Sequence, residues 1–172
     1  MTKTQETPWR VGYIALGANL GDAQGAFAGA IETLSGLEGI EVLKRSALYK
    51  TSPVDSTGPD YVNAVLAIKT NWDAEALMKT LLATERDFGR VRPQGVINAP
   101  RTLDLDLLIL GDERVSTAVL TLPHPRMEER LFVLVPLRDV YPEWVSSAGK
   151  SIDEQIKILK TRYPDQKVIA TL

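Results

Sequence analysis

The alternation of apolar and polar positions along the chain predicts a mixed fold of strands and helices. Strands are predicted where apolar residues run together or alternate with polar ones between turn residues. Helices are predicted where apolar residues recur every three or four positions behind a capping residue. The predicted strands are 9–16, 40–51, 61–70 and 101–110. The predicted helices are 23–37, 73–88, 127–135 (bent or ended by Pro136) and 151–159.

The first six predicted elements follow the order β-α-β-β-α-β. This is the split βαβ order of a ferredoxin-like sandwich, in which helices pack on a mainly antiparallel sheet. The expected fold class is therefore α/β (α+β), with the last two helices as a C-terminal addition. The length of 172 residues suits one domain, expected over 9–172 behind a flexible extension at 1–8. The fold alone indicates no function, because it hosts many activities.

Composition and charge limit the kinds of molecule and metal site that the protein is expected to bind. The net charge of −2 gives no indication of general affinity for nucleic acid. The apolar runs are too short to span a bilayer, and the polar N-terminus does not have the pattern of a secretory signal. The chain has no cysteine, which excludes thiolate metal sites, and its one histidine excludes a histidine cluster. The expectation is a cytoplasmic monomer that contacts neither nucleic acid nor a membrane.

Two aspartates interrupt the fourth predicted strand and carry the clearest chemical information. Asp104 and Asp106 are two positions apart, so their side chains point to one face of a strand, opposite Leu105. Two carboxylates held that close repel each other. A hard cation such as Mg²⁺ between them removes the repulsion and keeps positions open for phosphate. The pair therefore favours a magnesium site over an edge strand with a solvated polar face.

Segments that carry arginine flank the aspartate pair on both sides. Arg90, Arg92 and Arg101 precede it, and Arg126 and Arg130 follow it. Guanidinium groups match phosphate oxygens, and a metal–polyphosphate site needs positive groups around the outer oxygens. The pattern indicates a polyphosphate site if the two segments converge, although each arginine alone could be a solvated surface residue.

Four short motifs lie along the chain. They are YIALGANLG at 13–21, PDYVNA at 59–64, APRTLDLDLL at 99–108 and LPHPRMEERLF at 122–132. In sequence and order they resemble the hydroxymethyl-dihydropterin pyrophosphokinases of folate biosynthesis, over residues 13–142. The resemblance implies a ferredoxin-like enzyme that transfers the terminal pyrophosphate of ATP to the hydroxymethyl group of 6-hydroxymethyl-7,8-dihydropterin and leaves AMP. ATP and the pterin are then its small-molecule substrates.

The resemblance also implies a role for each matching residue. Asp104 and Asp106 would hold two Mg²⁺ ions and, together with Arg92 and Arg101, act in catalysis. The residues expected to contact ATP are Arg90, Arg92, Arg101, Leu107, Thr121, His124 and Arg130. The residues expected to bind the pterin are Thr51, Pro53, Val54, Tyr61, Asn63 and Phe132. Glu85 would lie near the metal cluster, and Arg92, with Arg90, would sit on a loop that closes over the nucleotide.

The implied reaction needs no nucleophilic side chain, because the substrate hydroxyl attacks the β-phosphorus. Catalysis would rest on positioning and charge neutralisation in a dry site, with segments 51–60 and 89–100 as candidate lids. Two rival functions remain open at this point. One is another Mg²⁺-dependent phosphotransferase or nucleotidyl transferase, and the other is a non-enzymatic ferredoxin-like module that binds a ligand without nucleotide turnover.

Overall fold

A six-stranded antiparallel sheet forms the centre of the protein in a computed structural model that describes residues 7–19, 23–51, 60–88 and 103–171. The strands of this sheet are β1 Arg10–Asn19, β2 Ile40–Arg45, β3 Tyr49–Thr51, β4 Tyr61–Thr70, β5 Asp104–Leu110 and β8 Val168–Ala170. Two further short strands, β6 Val115–Ser116 and β7 Thr121–Leu122, form a separate hairpin. The helices are α1 Ala23–Ser35, α2 Ala74–Phe88, α3 Leu131–Val140 and α4 Ile152–Arg162, with a 3₁₀ turn at Met127–Glu129 before α3. None of the helices in these ranges has the length and apolarity needed to cross a membrane.

The strand order confirms the predicted fold class. Neighbouring strands follow the order β5-β1-β4-β3-β8, and β2 pairs with β4 on the same side as β3. If β2 and β3 are taken as two halves of one strand, this is the order of the ferredoxin-like βαββαβ arrangement. The strand β8 was not predicted, and it extends the sheet beyond β3.

Hydrophobic cores lie on opposite faces of this sheet. On the first face, Ile14 and Leu66 belong to a core that includes residues of α1 and α2. On the second face, Tyr13, Val65 and Leu108 belong to a core with residues of α3 and α4. Alternate residues of each central strand therefore serve different cores, as the pleat of a strand requires. Both faces of the sheet are covered by helices of the same chain.

The predicted strand 40–51 is divided in the structure. The break between β2 and β3 contains Ser46, whose backbone N–H donates to the carbonyl of Val65 at 2.9 Å. The Ser46 hydroxyl accepts a bond from the N–H of Val65, also at 2.9 Å. This side-chain bond replaces a regular ladder bond, so the single strand of the prediction is wrong at this point.

The predicted helix 127–135 is wrong in both of its limits. A 3₁₀ turn occupies Met127–Glu129, and α3 begins at Leu131 and continues through Pro136. Proline has no N–H to donate to the carbonyl four residues earlier and usually ends or bends a helix. Most of α3 is buried in the second core, and this packing offsets the lost hydrogen bond.

Capping side chains fix the starts of two other helices, and the cap predicted at Asp73 is confirmed. The Asp73 side chain accepts a hydrogen bond from the N–H of Ala76 at 2.7 Å and caps α2. Ser151 accepts one from Glu154 at 3.2 Å and caps α4. At the N-terminus, Thr7 already bonds to the carbonyl of Asn71, while residues 1–6 lie outside the described ranges. The division into an extension and one domain stays a prediction.

Candidate active site

The second face of the sheet changes from core to cavity along β1 and β4. On β1, Tyr13 belongs to the second core, while Ala15 and Gly17 line a cavity of about 400 Å³. On β4, Val65 belongs to the core and Asn63 lines the cavity. This volume is within the usual range for small-molecule sites. We call this space the first cavity, and its other lining residues are Leu16, Thr51, Tyr61, Asp104, Asp106, Arg130, Phe132, Val133 and Gln166.

The two aspartates lie side by side on β5 as the alternation predicts. Asp104 pairs with Gly17 and Asp106 pairs with Ala15 across the ladder to β1. Both therefore belong to the face that forms the cavity. The leucines between and around them are at most 5% exposed and belong to the opposite core: Leu103, Leu105 and Leu107.

Hydrogen bonds to Glu85 and His124 hold β5 in place. The buried carboxylate of Glu85, on α2, accepts a hydrogen bond from the N–H of Leu105 at 2.7 Å. The backbone N–H of His124 donates to the carbonyl of Leu108 at 2.8 Å. Glu85 thus holds the strand at the residue between Asp104 and Asp106, close to the pair as the resemblance implies.

A second cavity of about 590 Å³ lies between α2, β5 and the β6–β7 hairpin. Its wall on α2 is mainly apolar, with Met78, Leu81 and Leu82 followed by the carboxylate of Glu85. Predicted ATP contacts on the other side are Leu107, Thr121 and His124. Asp104, Asp106 and Arg130 line both cavities. The three charged side chains therefore stand at the boundary between the two spaces.

His124 lines the second cavity, and a backbone hydrogen bond sets the tautomer of its neutral ring. Its Nδ1 accepts the N–H of Arg126 at 3.2 Å, so in the neutral ring the proton is assigned to Nε2. Burial lowers the pKa of His124 below its usual value, Asp106 opposes this effect, and Arg130 and Arg126 add to it. The imidazole is therefore neutral near pH 7.

The Asn63 amide and two aromatic side chains line the first cavity. The hydroxyl of Thr51 donates to Oδ1 of Asn63 at 2.9 Å, and within the described ranges no hydrogen bond uses the Asn63 NH₂ group. A Cβ on Gly17 would lie 3.2 Å from that nitrogen, so the lack of a side chain at Gly17 leaves space beside the amide. Tyr61 lies two residues from Asn63 on the same face of β4, and the guanidinium of Arg130 lies 5.7 Å from the ring centroid of Phe132.

Every predicted site residue within the described ranges lines one of these two cavities. Their roles stay predictions, since position alone does not establish a contact with substrate. Other predicted residues lie outside the described ranges: Pro53, Val54, Arg90, Arg92 and Arg101, with most of the lid segments 51–60 and 89–100.

Sequence reasoning missed Gln166, which reaches the first cavity from the segment before β8. A polar residue near the C-terminus carries no local signal of such a position.

Comparisons with known proteins agree with the motifs. Residues 13–142 match the family model described as 7,8-dihydro-6-hydroxymethylpterin-pyrophosphokinase (HPPK). The 2-amino-4-hydroxy-6-hydroxymethyldihydropteridine pyrophosphokinase of Synechocystis sp. is 41% identical over 145 residues, covering 84% of this chain and 73% of the relative. The protein of the same name from Bacillus subtilis is 34% identical over 155 residues, covering 88% and 92%.

A solved structure gives the same result for the fold. Wild-type Plasmodium falciparum HPPK-DHPS superposes with a TM-score of 0.71 at 13% identity, over 92% of this chain. The chain spans 42% of that longer protein, so the likeness concerns the fold of this part alone. The family match and the two curated relatives carry the assignment beyond fold. Together they show that the chain belongs to the 7,8-dihydro-6-hydroxymethylpterin-pyrophosphokinase family.

Proposed function

We propose that this protein transfers the terminal pyrophosphate of ATP to the hydroxymethyl group of 6-hydroxymethyl-7,8-dihydropterin in folate biosynthesis, giving AMP. Membership of the pyrophosphokinase family supports the reaction. The observation that carries the proposal is the pair of adjoining cavities with Asp104, Asp106 and Arg130 at their boundary. Two substrates that must exchange a charged group need this arrangement, because their reacting ends have to meet among ionic side chains.

The second cavity suits ATP. Its apolar wall of Met78, Leu81 and Leu82 offers a surface for a flat base, and the polar groups lie on the side of β5. His124 donates through Nε2 and Arg130 supplies a guanidinium, and both suit phosphate oxygens. Arg130 also stands at the N-cap of α3, where the helix dipole favours negative charge. Outside the described ranges, we assign Arg90, Arg92 and Arg101 to the same phosphates.

The first cavity suits the pterin. A flat polar ring needs aromatic faces beside it and an amide at its donor–acceptor edge. Tyr61 and Phe132 supply the aromatic faces, and Asn63 supplies the amide with its orientation fixed by Thr51. The absence of a side chain at Gly17 leaves room for the ring above β1. Pro53 and Val54, outside the described ranges, complete this assignment.

The aspartate pair fits Mg²⁺. Among the described residues, no group of three or more His, Cys, Asp or Glu side chains could hold a metal, so the pair supplies two protein ligands only. Mg²⁺ in nucleotide sites is usually held by one or two carboxylates, with substrate phosphates and water as the other ligands. Asp104 and Asp106 would hold two ions, which when bound neutralise phosphate charge and favour loss of the hydroxyl proton.

The chain's own residues then act by positioning and by exclusion of water. Asn63 orients the pterin so that its hydroxymethyl group points toward the aspartates, and Arg130 holds phosphate charge beside it. Glu85 keeps the two aspartates in register by fixing the backbone between them. We also propose that the protein works as a monomer in the cytoplasm and takes no nucleic acid. The net charge of −2 supports the absence of nucleic-acid binding, and the proposed use of ATP supports the location.

Analysis of the reaction products tests the proposed reaction. The purified protein, incubated with ATP, Mg²⁺ and 6-hydroxymethyl-7,8-dihydropterin, should form AMP and a pyrophosphorylated pterin in equal amounts. Phosphorus NMR distinguishes AMP from ADP directly, and a reaction without the pterin is the control. ADP as the product would indicate ordinary γ-phosphoryl transfer, and nucleotide binding without turnover would favour a non-enzymatic module. Either result would exclude the proposed reaction.

The protonation of His124 gives an independent test of the phosphate site. The chain has a single histidine, so its imidazole NMR signals need no assignment. In the free protein its pKa should lie below 6.5, because burial disfavours the charged ring. This group contributes stability above about pH 6.5 that is lost as the pH falls through its lower folded pKa. A non-hydrolysable ATP analogue should raise that pKa, because phosphate favours the protonated ring; an unchanged value would place His124 away from the phosphates.

A further inference from the structure

We infer that Gln166 is a specificity-determining residue for the pterin, whose polar edge its side-chain amide contacts in the first cavity. This inference rests on the proposed function, since it takes the first cavity as the pterin site. Gln166 lies beyond residues 13–142, the part of the chain that matches the family model. It is nevertheless one of the residues that line the same cavity as Thr51 and Asn63.

The fold brings Gln166 to the cavity through the edge of the sheet. The chain leaves α4 in a turn in which the N–H of Gln166 donates to the carbonyl of Tyr163 at 3.1 Å. Two residues later it enters β8, where Val168 pairs with Thr51 of β3. The N–H of Thr171 then donates to the carbonyl of Leu48 at 2.8 Å. Backbone bonds along β3 and at Leu48 just before it therefore fix the segment that carries Gln166 relative to Thr51.

The chemistry of the cavity favours a contact between Gln166 and the substrate. The Asn63 amide already uses its oxygen to accept the Thr51 hydroxyl, so its nitrogen is the group left for a ligand. Among the described residues, no hydrogen bond joins the Gln166 side-chain amide to another protein group. Gln166 is partly buried, and its amide offers both a donor and an acceptor. The polar edge of a pterin has both hydrogen-bond donors and acceptors. The Gln166 amide can pair with those that Asn63 does not contact.

The other polar groups of the cavity are charged and serve a different part of the substrate. Asp104, Asp106 and Arg130 stand at the boundary with the second cavity, where the hydroxymethyl group and the phosphates meet. Gln166, by contrast, lies two residues before Val168, which pairs with Thr51 at the end of β3. It thus belongs to the part of the cavity that recognises the ring rather than the part that performs the transfer.

Two substitutions of Gln166 test the inference. Gln166→Met keeps most of the side-chain volume and removes the amide, and Gln166→Ala removes both. Each should raise the dissociation constant of the pterin about tenfold in titration calorimetry and raise the KM for the pterin similarly, because one hydrogen bond is lost. The KM for ATP and the kcat should stay within twofold of the wild-type values. The melting temperature should stay within a few degrees. Gln24→Ala, an exposed glutamine on α1, is the matched control.

The outcomes separate this inference from the proposed reaction. Weaker pterin binding in both variants, with unchanged ATP binding and a normal Gln24→Ala protein, supports the contact. An equal loss of affinity for ATP and for the pterin would indicate a structural role of Gln166 and overturn the inference. Equal pterin dissociation constants in the wild type and both variants would also overturn it, even if AMP is formed. A wild type that binds pterin without forming AMP would contradict the reaction, while weaker binding in the variants would still support the contact.

Discussion

Replacing Asp104 or Asp106 by asparagine should abolish turnover while leaving the fold intact. Each substitution keeps the side-chain size and removes one of the two negative charges on the cavity face of β5. A metal clamp that loses one carboxylate loses several kcal/mol of charge stabilisation in the transition state, so kcat should fall roughly a thousandfold or more. The substitution also removes repulsion between neighbouring carboxylates, so the melting temperature should stay level or rise.

The control for this prediction is Asp112→Asn. Asp112 is exposed in the turn that follows β5 and lines neither cavity. It should retain wild-type kcat at every Mg²⁺ concentration. The measurement is AMP formation as a function of Mg²⁺ concentration, with circular dichroism to verify folding. Mg²⁺-dependent turnover close to the wild-type rate in either the Asp104 or the Asp106 variant would refute the metal assignment.

Asn63→Ala should weaken pterin binding strongly and ATP binding little. The truncation removes the amide that Thr51 holds in place, so polar groups at the edge of the ring lose their partner. An unsatisfied buried polar group costs roughly 1–3 kcal/mol, which corresponds to about a five- to 150-fold loss of affinity. Titration calorimetry with the pterin and with a non-hydrolysable ATP analogue measures both constants. Wild-type pterin affinity in this variant would show that the ring binds elsewhere.

A companion variant isolates the orientation of the amide. Thr51→Val keeps the shape of the side chain and removes the hydroxyl that donates to Asn63 Oδ1. It should weaken pterin binding less than Asn63→Ala does, because the amide is still present but freer to rotate. The double variant should lose less than the sum of the two single losses, since the residues act as one unit. Strict additivity would mean that Thr51 acts independently of Asn63.

The sheet and the aspartate pair could be predicted from the sequence because their signals are local. The strand at 61–70 appears in the structure with the same limits, and the two-residue spacing of Asp104 and Asp106 alone determines that they share a face. The capping carboxylate of Asp73 likewise lies next to the helix that it begins. In each case the residues that decide the structure are neighbours in the chain.

The features that could not be predicted depend on distant partners. The break at Ser46 arises from hydrogen bonds to Val65, nineteen positions away. Pro136 remains inside α3 because the second core holds that helix. Gln166 reaches the first cavity only because β8 pairs with β3, and nothing near Gln166 in the sequence announces that pairing. Single-sequence patterns do not contain such long-range information.

The charged boundary between the two cavities has a thermodynamic consequence. Asp104, Asp106 and Arg130 face both spaces, so a ligand in either cavity changes the electrostatic potential that the other ligand meets. If the two cavities bind pterin and nucleotide as proposed, the two binding equilibria are coupled without any need for a change of shape. Linkage requires the coupling to be reciprocal: the factor by which bound nucleotide alters the affinity for pterin equals the factor by which bound pterin alters the affinity for nucleotide. Either substrate is thus an effector of the other, with a sign set by the ions that accompany the phosphates.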